Sequence, residues 1–176
     1  MTRGDARDRW QLTWIAIFAF GVVGVALVSQ HRFDMQPCPW CIVQRMAFSA
    51  IGVVALVAAM WPLQRARRVH MTAAFACGSL AVLGAASALW QQVYAAKSSS
   101  CHKTVADVII GLSHLDIELP DIFQARASCA EAAVSVLGVP YGIWSLIAFL
   151  LIAIAATKLH LEQRQRLVIA DSSFGD

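Results

Sequence analysis

Four long apolar stretches decide what this chain can become. They cover about residues 12–28, 42–61, 71–93 and 142–157. A helix needs roughly 17–25 mostly apolar residues to cross about 30 Å of hydrocarbon. The second and third stretches meet that outright. The first borrows Trp10, Gln11 and Ser29 at its ends, and the fourth extends back toward Tyr141. None shows the polar–apolar alternation of a membrane strand. The expectation is an all-α membrane protein: a bundle of four transmembrane helices at about 11–29, 42–61, 71–94 and 142–158, forming a single membrane domain over 1–176. Composition agrees. Hydrophobic residues make up 59% and charged residues 14%, against about 45–50% and about 25% in a soluble domain. So little charge cannot cover a small soluble globule, and so apolar a chain is not disordered.

The flanks support the same reading. Trp10 and Trp14 stand at one end of the first stretch, Trp40 and Trp61 bracket the second, and Trp90 and Trp144 lie toward ends of the third and fourth. That is the headgroup-level aromatic belt of a membrane protein. The third stretch is rich in Ala, Gly and Ser, which let membrane helices approach closely. Arg3, Arg7 and Arg9 before the first stretch could also open a signal peptide. Its apolar run is longer than usual, however, and no small-x-small cleavage site follows.

Lys and Arg distribution orients the bundle. The N-terminus, the turn between the second and third helices, and the C-terminal tail carry Arg3, Arg7, Arg9, Arg65, Arg67, Arg68, Lys158, Arg164 and Arg166. The other side has Arg32, Arg45, Lys97, Lys103 and Arg126 over a longer stretch. The positive-inside rule then puts both termini in the cytoplasm and the loops at about 30–41 and 95–141 outside. The overall net charge of +3 is too small to point to nucleic acid. Within the long loop, Val105, Val108, Ile109, Leu112 and Leu115 recur at helical spacing. That fits either an amphipathic helix on the membrane surface or a segment packed on the bundle.

Cysteine placement narrows the function. Cys38, Cys41, Cys101 and Cys129 all fall on the outer side, where thiols pair as disulfides, while Cys77 falls inside the third helix as a small packing residue. Four cysteines allow three pairings; proximity favours Cys38 with Cys41 and Cys101 with Cys129. Cys38-Pro39-Trp40-Cys41 closes a loop too short for an ordinary structural disulfide, so redox exchange or metal binding is the better reading. Haem attachment would need His where Ile42 stands. A zinc ribbon would need a second C-x-x-C, and His31, His102 and His114 show no ligand spacing. Metal binding is therefore not expected. Cys41 lies at the positive end of a helix, and Arg45 follows one turn deeper on the same face, both favouring a thiolate. Two pairs can pass electrons by thiol–disulfide exchange. At that depth a lipid-soluble quinone is the natural acceptor of two electrons and two protons.

With these features the chain resembles the DsbB family of bacterial inner-membrane disulfide-generating proteins, over nearly its whole length. The specific stretches are Pro37-Cys38-Pro39-Trp40-Cys41-Ile42-Val43-Gln44-Arg45, Ser128-Cys129-Ala130-Glu131, and Trp144-Ser145-Leu146 opening the fourth helix. The resemblance implies a quinone-dependent disulfide oxidoreductase, multi-pass in the inner membrane, with its active cysteines facing the periplasm. It implies that Cys101 forms the mixed disulfide with a DsbA-type periplasmic thioredoxin-fold partner and that Cys129 is its mate. Cys38 and Cys41 then reoxidise the loop pair, Cys41 engages ubiquinone or menaquinone, and Arg45 supports quinone binding. Where some members carry a quinone-linked His near the outer end of the third helix, Gln92 falls nearest. An amide there can donate a hydrogen bond but carries no proton charge. Pro140 also lies earlier than the family's proline before Trp144. Three rivals differ in class or direction. Vitamin K epoxide reductases place their C-x-x-C after the loop pair. Small mercury transporters place cysteine pairs inside the membrane or toward the cytoplasm. The third is a structural membrane protein with stabilising disulfides.

Overall fold

A computed structural model describes residues 3–61, 66–95 and 104–172. Four long helices dominate it: α1 (Arg3–Phe33), α2 (Pro39–Met60), α3 (Ala66–Val93) and, after the loop elements, α7 (Tyr141–Ser172). Each contains a stretch long and apolar enough to cross a membrane, at Ala6–Phe33, Pro39–Met60, Arg68–Val93 and Tyr141–Arg166. No strand longer than two residues occurs among the described residues. α1 and α7 run beyond the sequence-read limits at both ends and α3 at its start, where polar flanking residues such as Arg7, Asp8, His70, Glu162 and Arg166 find partners across the bundle. α2 begins earlier for a different reason. Cys38 is its N-cap and Pro39 its first helical residue, where the fixed φ of proline suits a helix start and its missing N–H costs nothing.

Small side chains set the spacing. α3 packs most extensively on α7, α1 on α2 and α2 on α3, whereas α1 meets α7 only lightly. Where α3 crosses α7, Phe149 is fully buried and its ring stacks on Phe48 with centroids 3.8 Å apart. Gly84 makes this possible: a Cβ there would overlap the Phe149 ring. Cys77 is buried in the same core, its Sγ 3.8 Å from the Ile51 carbonyl, as its reading as a packing residue requires.

The end of the bundle that carries the termini is tied by charge. Arg166 Nη1 donates to both carboxylate oxygens of buried Asp8 at 3.2 and 3.4 Å, and Arg7 Nη2 donates to Glu162 at 3.1 Å. Arg9 Nε donates to the Ala59 carbonyl at 2.9 Å.

The opposite end carries the loop elements α4 (Val105–Ser113), α5 (Leu115–Glu118), α6 (Pro120–Phe123), β1 (Ser135–Val136) and β2 (Val139–Pro140). α4 opens on a reciprocal capping box between Thr104 and Asp107. Of the two readings left open for this segment, the structure keeps part of each. The helix forms, and its Ala106 and Ile110 are buried, with Ile110 packed beside Ile42 of α2 and Phe123 of α6. Val105, Val108, Ile109 and Leu112 remain exposed. The β1–β2 hairpin pairs Val136 with Val139 around Leu137 and Gly138. Both have positive φ (55° and 78°), the combination that a two-residue turn matching the strand twist needs.

Candidate active site

Three segments converge where α2 begins. The first is the start of α2 itself. Capping brings the Cys38 Sγ to 3.4 Å from the Cys41 backbone N–H, which donates to it, and the two Sγ atoms lie 2.9 Å apart. Cys38 is fully buried and Cys41 partly so.

The second segment is the loop through Cys129. Arg126 and Ala127 donate their backbone N–H groups to the Pro37 carbonyl at 2.9 and 3.2 Å, docking this loop against the residue before the C-x-x-C. Ser128 and Glu131 then cap each other. The Ser128 N–H and hydroxyl each donate to Glu131 Oε2 at 2.8 Å, and the Glu131 N–H donates to the Ser128 hydroxyl at 3.3 Å. Those donors hold the Glu131 carboxyl below its ordinary value. The turn they close presents Cys129 to Cys38, and the two side chains are hydrogen-bonded. The hydrogen bond to Cys129 comes first, ahead of that to Cys41 and burial, in raising the Cys38 thiol well above its ordinary value. The same bond holds Cys129 below its ordinary value, against burial and the charge of Cys41. Cys38 is thus the protonated donor and Cys129 the sulfur on which negative charge is favoured. Cys101 lies outside the described residues, so of the loop pair only Cys129 has a position here.

The third segment is a set of polar side chains on apolar helices. Arg45 is 7% exposed. Its Nη1 donates to Gln30 Oε1 at 2.7 Å and the Ile122 carbonyl at 2.9 Å, and its Nη2 to the Ala26 carbonyl at 3.4 Å. Gln30 Nε2 reaches on to the Asp121 carbonyl at 3.3 Å. Arg45 therefore binds α1 to the loop that leads to Cys129. Every one of those acceptors is neutral, and Arg45 makes no ion pair among the described residues. On α3, Gln91 is 4% exposed and donates to Cys38 Sγ at 3.4 Å and Cys41 Sγ at 3.3 Å. Gln44 Nε2 donates to Gln91 Oε1 at 2.6 Å.

Sequence position singled out Gln92 near this point. The amide that reaches the cysteines is that of Gln91. Gln92, one residue on and so about 100° around the helix, lies against Gly142 of α7, 3.2–3.3 Å from where a Cβ would stand. Gln30, Gln91 and Tyr141 were not singled out from sequence. The available signal was Gln30, Gln44 and Gln91, each in a different apolar helix at the same end of the bundle.

These groups face a cleft that opens to the surroundings. Its lining combines the polar side chains of Cys41, Gln44, Arg45, Gln91 and Tyr141 with the apolar ones of Val22, Val23, Ala26 and Phe48. Tyr141 is hydrogen-bonded to Ser29. Val22, Tyr141 and Ser145 are shared with an apolar groove between α1 and α7, which continues past Gly21, Trp144 and Ala148. These two helices touch only lightly. Chemically, the site sets the sulfurs of Cys41 and Cys129 around that of Cys38 beside a buried cation and opens sideways between two membrane-length helices.

Comparison with known proteins identifies what this arrangement is similar to. A family model described as disulfide bond formation protein DsbB matches residues 8–159. The disulfide bond formation protein B of Aromatoleum aromaticum is 32% identical over 157 residues, covering 86% of this chain and 92% of that protein. That of Ralstonia nicotianae is 32% identical over 162 residues, covering 92% and 99%. Disulfide bond formation protein B 1 of Pseudomonas syringae pv. syringae is 30% identical over 162 residues, covering 91% and 94%.

Proposed function

This chain belongs to the DsbB family of disulfide bond formation proteins, and from that premise we propose that it reoxidises a DsbA-type periplasmic thioredoxin-fold partner and passes the electrons to membrane quinone. Family membership makes it a disulfide oxidoreductase. The hydrogen-bonded contact between Cys129 of the loop and Cys38 of the C-x-x-C is the observation that carries the electron path.

The path runs by exchange. A partner thiolate attacks Cys101 of a Cys101–Cys129 disulfide. A partner–Cys101 bond forms, and the electron pair of the broken bond leaves on Cys129. Resolution by the partner's second thiol releases Cys101 and the oxidised partner. The Cys129 thiolate attacks Cys38, the Cys38–Cys41 bond breaks, and its electron pair leaves on Cys41. Cys101 then displaces Cys38 from Cys129 and restores the loop disulfide. The balance is one partner dithiol oxidised and the C-x-x-C pair reduced. The geometry supports this route, since Cys129 of the loop meets buried Cys38 of the C-x-x-C.

Bound quinone would supply a two-electron, two-proton sink for the reduced pair. The cleft suits such a molecule, with polar donors and apolar side chains both in its lining and an apolar groove leading out between α1 and α7. Arg45, whose described partners are all neutral oxygens, would hold negative charge that develops there, and Tyr141 would donate a hydrogen bond. We assign Gln91 to the cysteines, while Gln92, the residue expected near the quinone, would act from beside Gly142. Ubiquinone and menaquinone fit this reading equally. The excess of Lys and Arg at the terminal end supports cytoplasmic termini and a periplasmic cysteine end in the inner membrane.

The test is quinone reduction by detergent-purified protein, driven by a reduced thioredoxin-fold partner, beside a Cys41→Ser control. Turnover that disappears in the control is expected. Undiminished quinone reduction by Cys41→Ser, or none by folded wild type with either quinone, would overturn the proposal.

A further inference from the structure

We propose that Gln91 is a further catalytic residue of this site, the donor that holds the electron pair arriving on Cys41, and that Gln44 is the residue that orients it. This deepens the exchange reading above and rests on it for its place in the sequence of steps.

The argument starts from one amide. Gln91 is almost fully buried at the cysteine end of α3, where an unsatisfied amide would cost about 1–3 kcal/mol. Its group is nevertheless spent on two sulfurs, at 3.4 Å to Cys38 and 3.3 Å to Cys41. A neutral thiol or disulfide sulfur is a weak acceptor, so this arrangement is a poor bargain in the resting protein. It becomes favourable when a sulfur is charged, because hydrogen bonds to ionised acceptors are about twice as strong.

Which way the amide faces is fixed from behind. Gln44 Nε2 donates to Gln91 Oε1 at 2.6 Å, so the Gln91 oxygen is occupied and its NH2 group must point at the cysteines. Gln44 sits three residues after Cys41 on α2, and one turn of helix therefore carries both the sulfur and the group that aims its donor. Arg45, the next residue, holds three neutral oxygens of α1 and the loop. Gln91 makes the direct polar contact from α3 to the Cys41 sulfur.

In the exchange step, Cys129 bonds to Cys38, the Cys38–Cys41 bond breaks, and the pair of electrons leaves on Cys41 with no proton yet attached. The Gln91 N–H already in place meets that charge without reorganisation.

The test is the rate at which Cys41 is alkylated by iodoacetamide at pH 7 in a Cys38→Ser background, mapped by mass spectrometry. Gln91→Met keeps the length and removes the donor, and the expected rate is about tenfold lower. Gln91→Glu should be slower still, since a carboxylate would oppose the thiolate. Gln44→Leu should give a smaller loss and add nothing on top of Gln91→Met. A merely structural role would leave the rate unchanged or raise it through looser packing. Rates within twofold of the parent in both Gln91→Met and Gln44→Leu would overturn the proposal. If Gln91→Met does not fold, Gln44→Leu alone decides on the same criterion. Alkylation needs neither partner nor quinone. Slowed Cys41 alkylation, with wild-type protein that never reduces quinone, would defeat the exchange reading and leave the donor standing. Unchanged alkylation, with wild-type protein that turns over, would defeat the donor alone.

Discussion

Each end of the bundle buries a charged side chain among apolar helices, Asp8 at one and Arg45 at the other, and the two are satisfied in opposite ways. At the terminal end, charge meets charge: buried Asp8 takes Arg166, and Glu162 takes Arg7 and Arg166. At the cysteine end, Arg45 is as deeply buried but rests on Gln30 and the carbonyls of Ile122 and Ala26. An ion pair neutralises a charge and leaves it nothing further to do. A cation held by neutral dipoles keeps its field, and in a low-dielectric site that field acts on whatever negative charge appears nearby. The first arrangement belongs to holding helices together. The second belongs to chemistry in which a thiolate comes and goes.

That contrast can be broken in graded ways. Arg45→Met removes the uncompensated cation, and quinone reduction should fall about 100-fold, the scale of losing one preorganised charge-stabilising donor. Partner-driven exchange at Cys101 should suffer less, and equal losses in the two assays would remove the distinction between the ends. Asp8→Asn should do the reverse. Breaking its pair with the partly exposed Arg166 should lower stability by about 1–2 kcal/mol, read as a lower melting temperature in detergent, with turnover unchanged. Loss of turnover in a folded Asp8→Asn protein would show that the terminal end takes part in the chemistry. A smaller effect concerns pH. Cys129 sits below its ordinary value because Cys38 donates to it, so its thiolate persists on the acid side of about 8.5. Cys38→Ala removes the donor, and the alkylation profile of Cys129 should move to higher pH. A profile that stays put would mean the contact does not tune the nucleophile. Least of all, Ser128→Ala opens the cap that closes the Cys129 turn and should slow loop exchange by a few-fold, about the 1 kcal/mol of a lost cap.

The four helices were legible because spanning hydrocarbon demands a length and polarity that nothing else in the sequence imitates. Their ends were less so. The limit near residue 158 missed the run to Ser172, since the extension rests on helix-forming Lys, Leu, Glu, Gln and Arg and on pairs reaching back to α1. The C-x-x-C and Arg45 were visible as a local pattern, because capping, the helix end and the i+4 spacing all act within one turn. The meeting of Cys129 with Cys38 was not. It depends on the Pro37 carbonyl receiving two backbone N–H groups from the far loop, and a carbonyl leaves no mark in a sequence. That the Gln91 amide meets the cysteines turned on the rotation of α3. Its apolar and small residues lie all round, so no polar face fixed the phase.

The central claim is that electrons cross between the loops through a bond between Cys129 and Cys38, and its most direct test is to trap that bond. Purified Cys101→Ser protein, oxidised with quinone, quenched in acid and mapped by mass spectrometry, should accumulate a Cys38–Cys129 disulfide beside a Cys41 thiol, because the Cys129 thiolate opens the Cys38–Cys41 bond and no Cys101 is left to displace Cys38. Its absence, with Cys38 found only paired to Cys41 while wild-type protein still reduces quinone, would contradict the account.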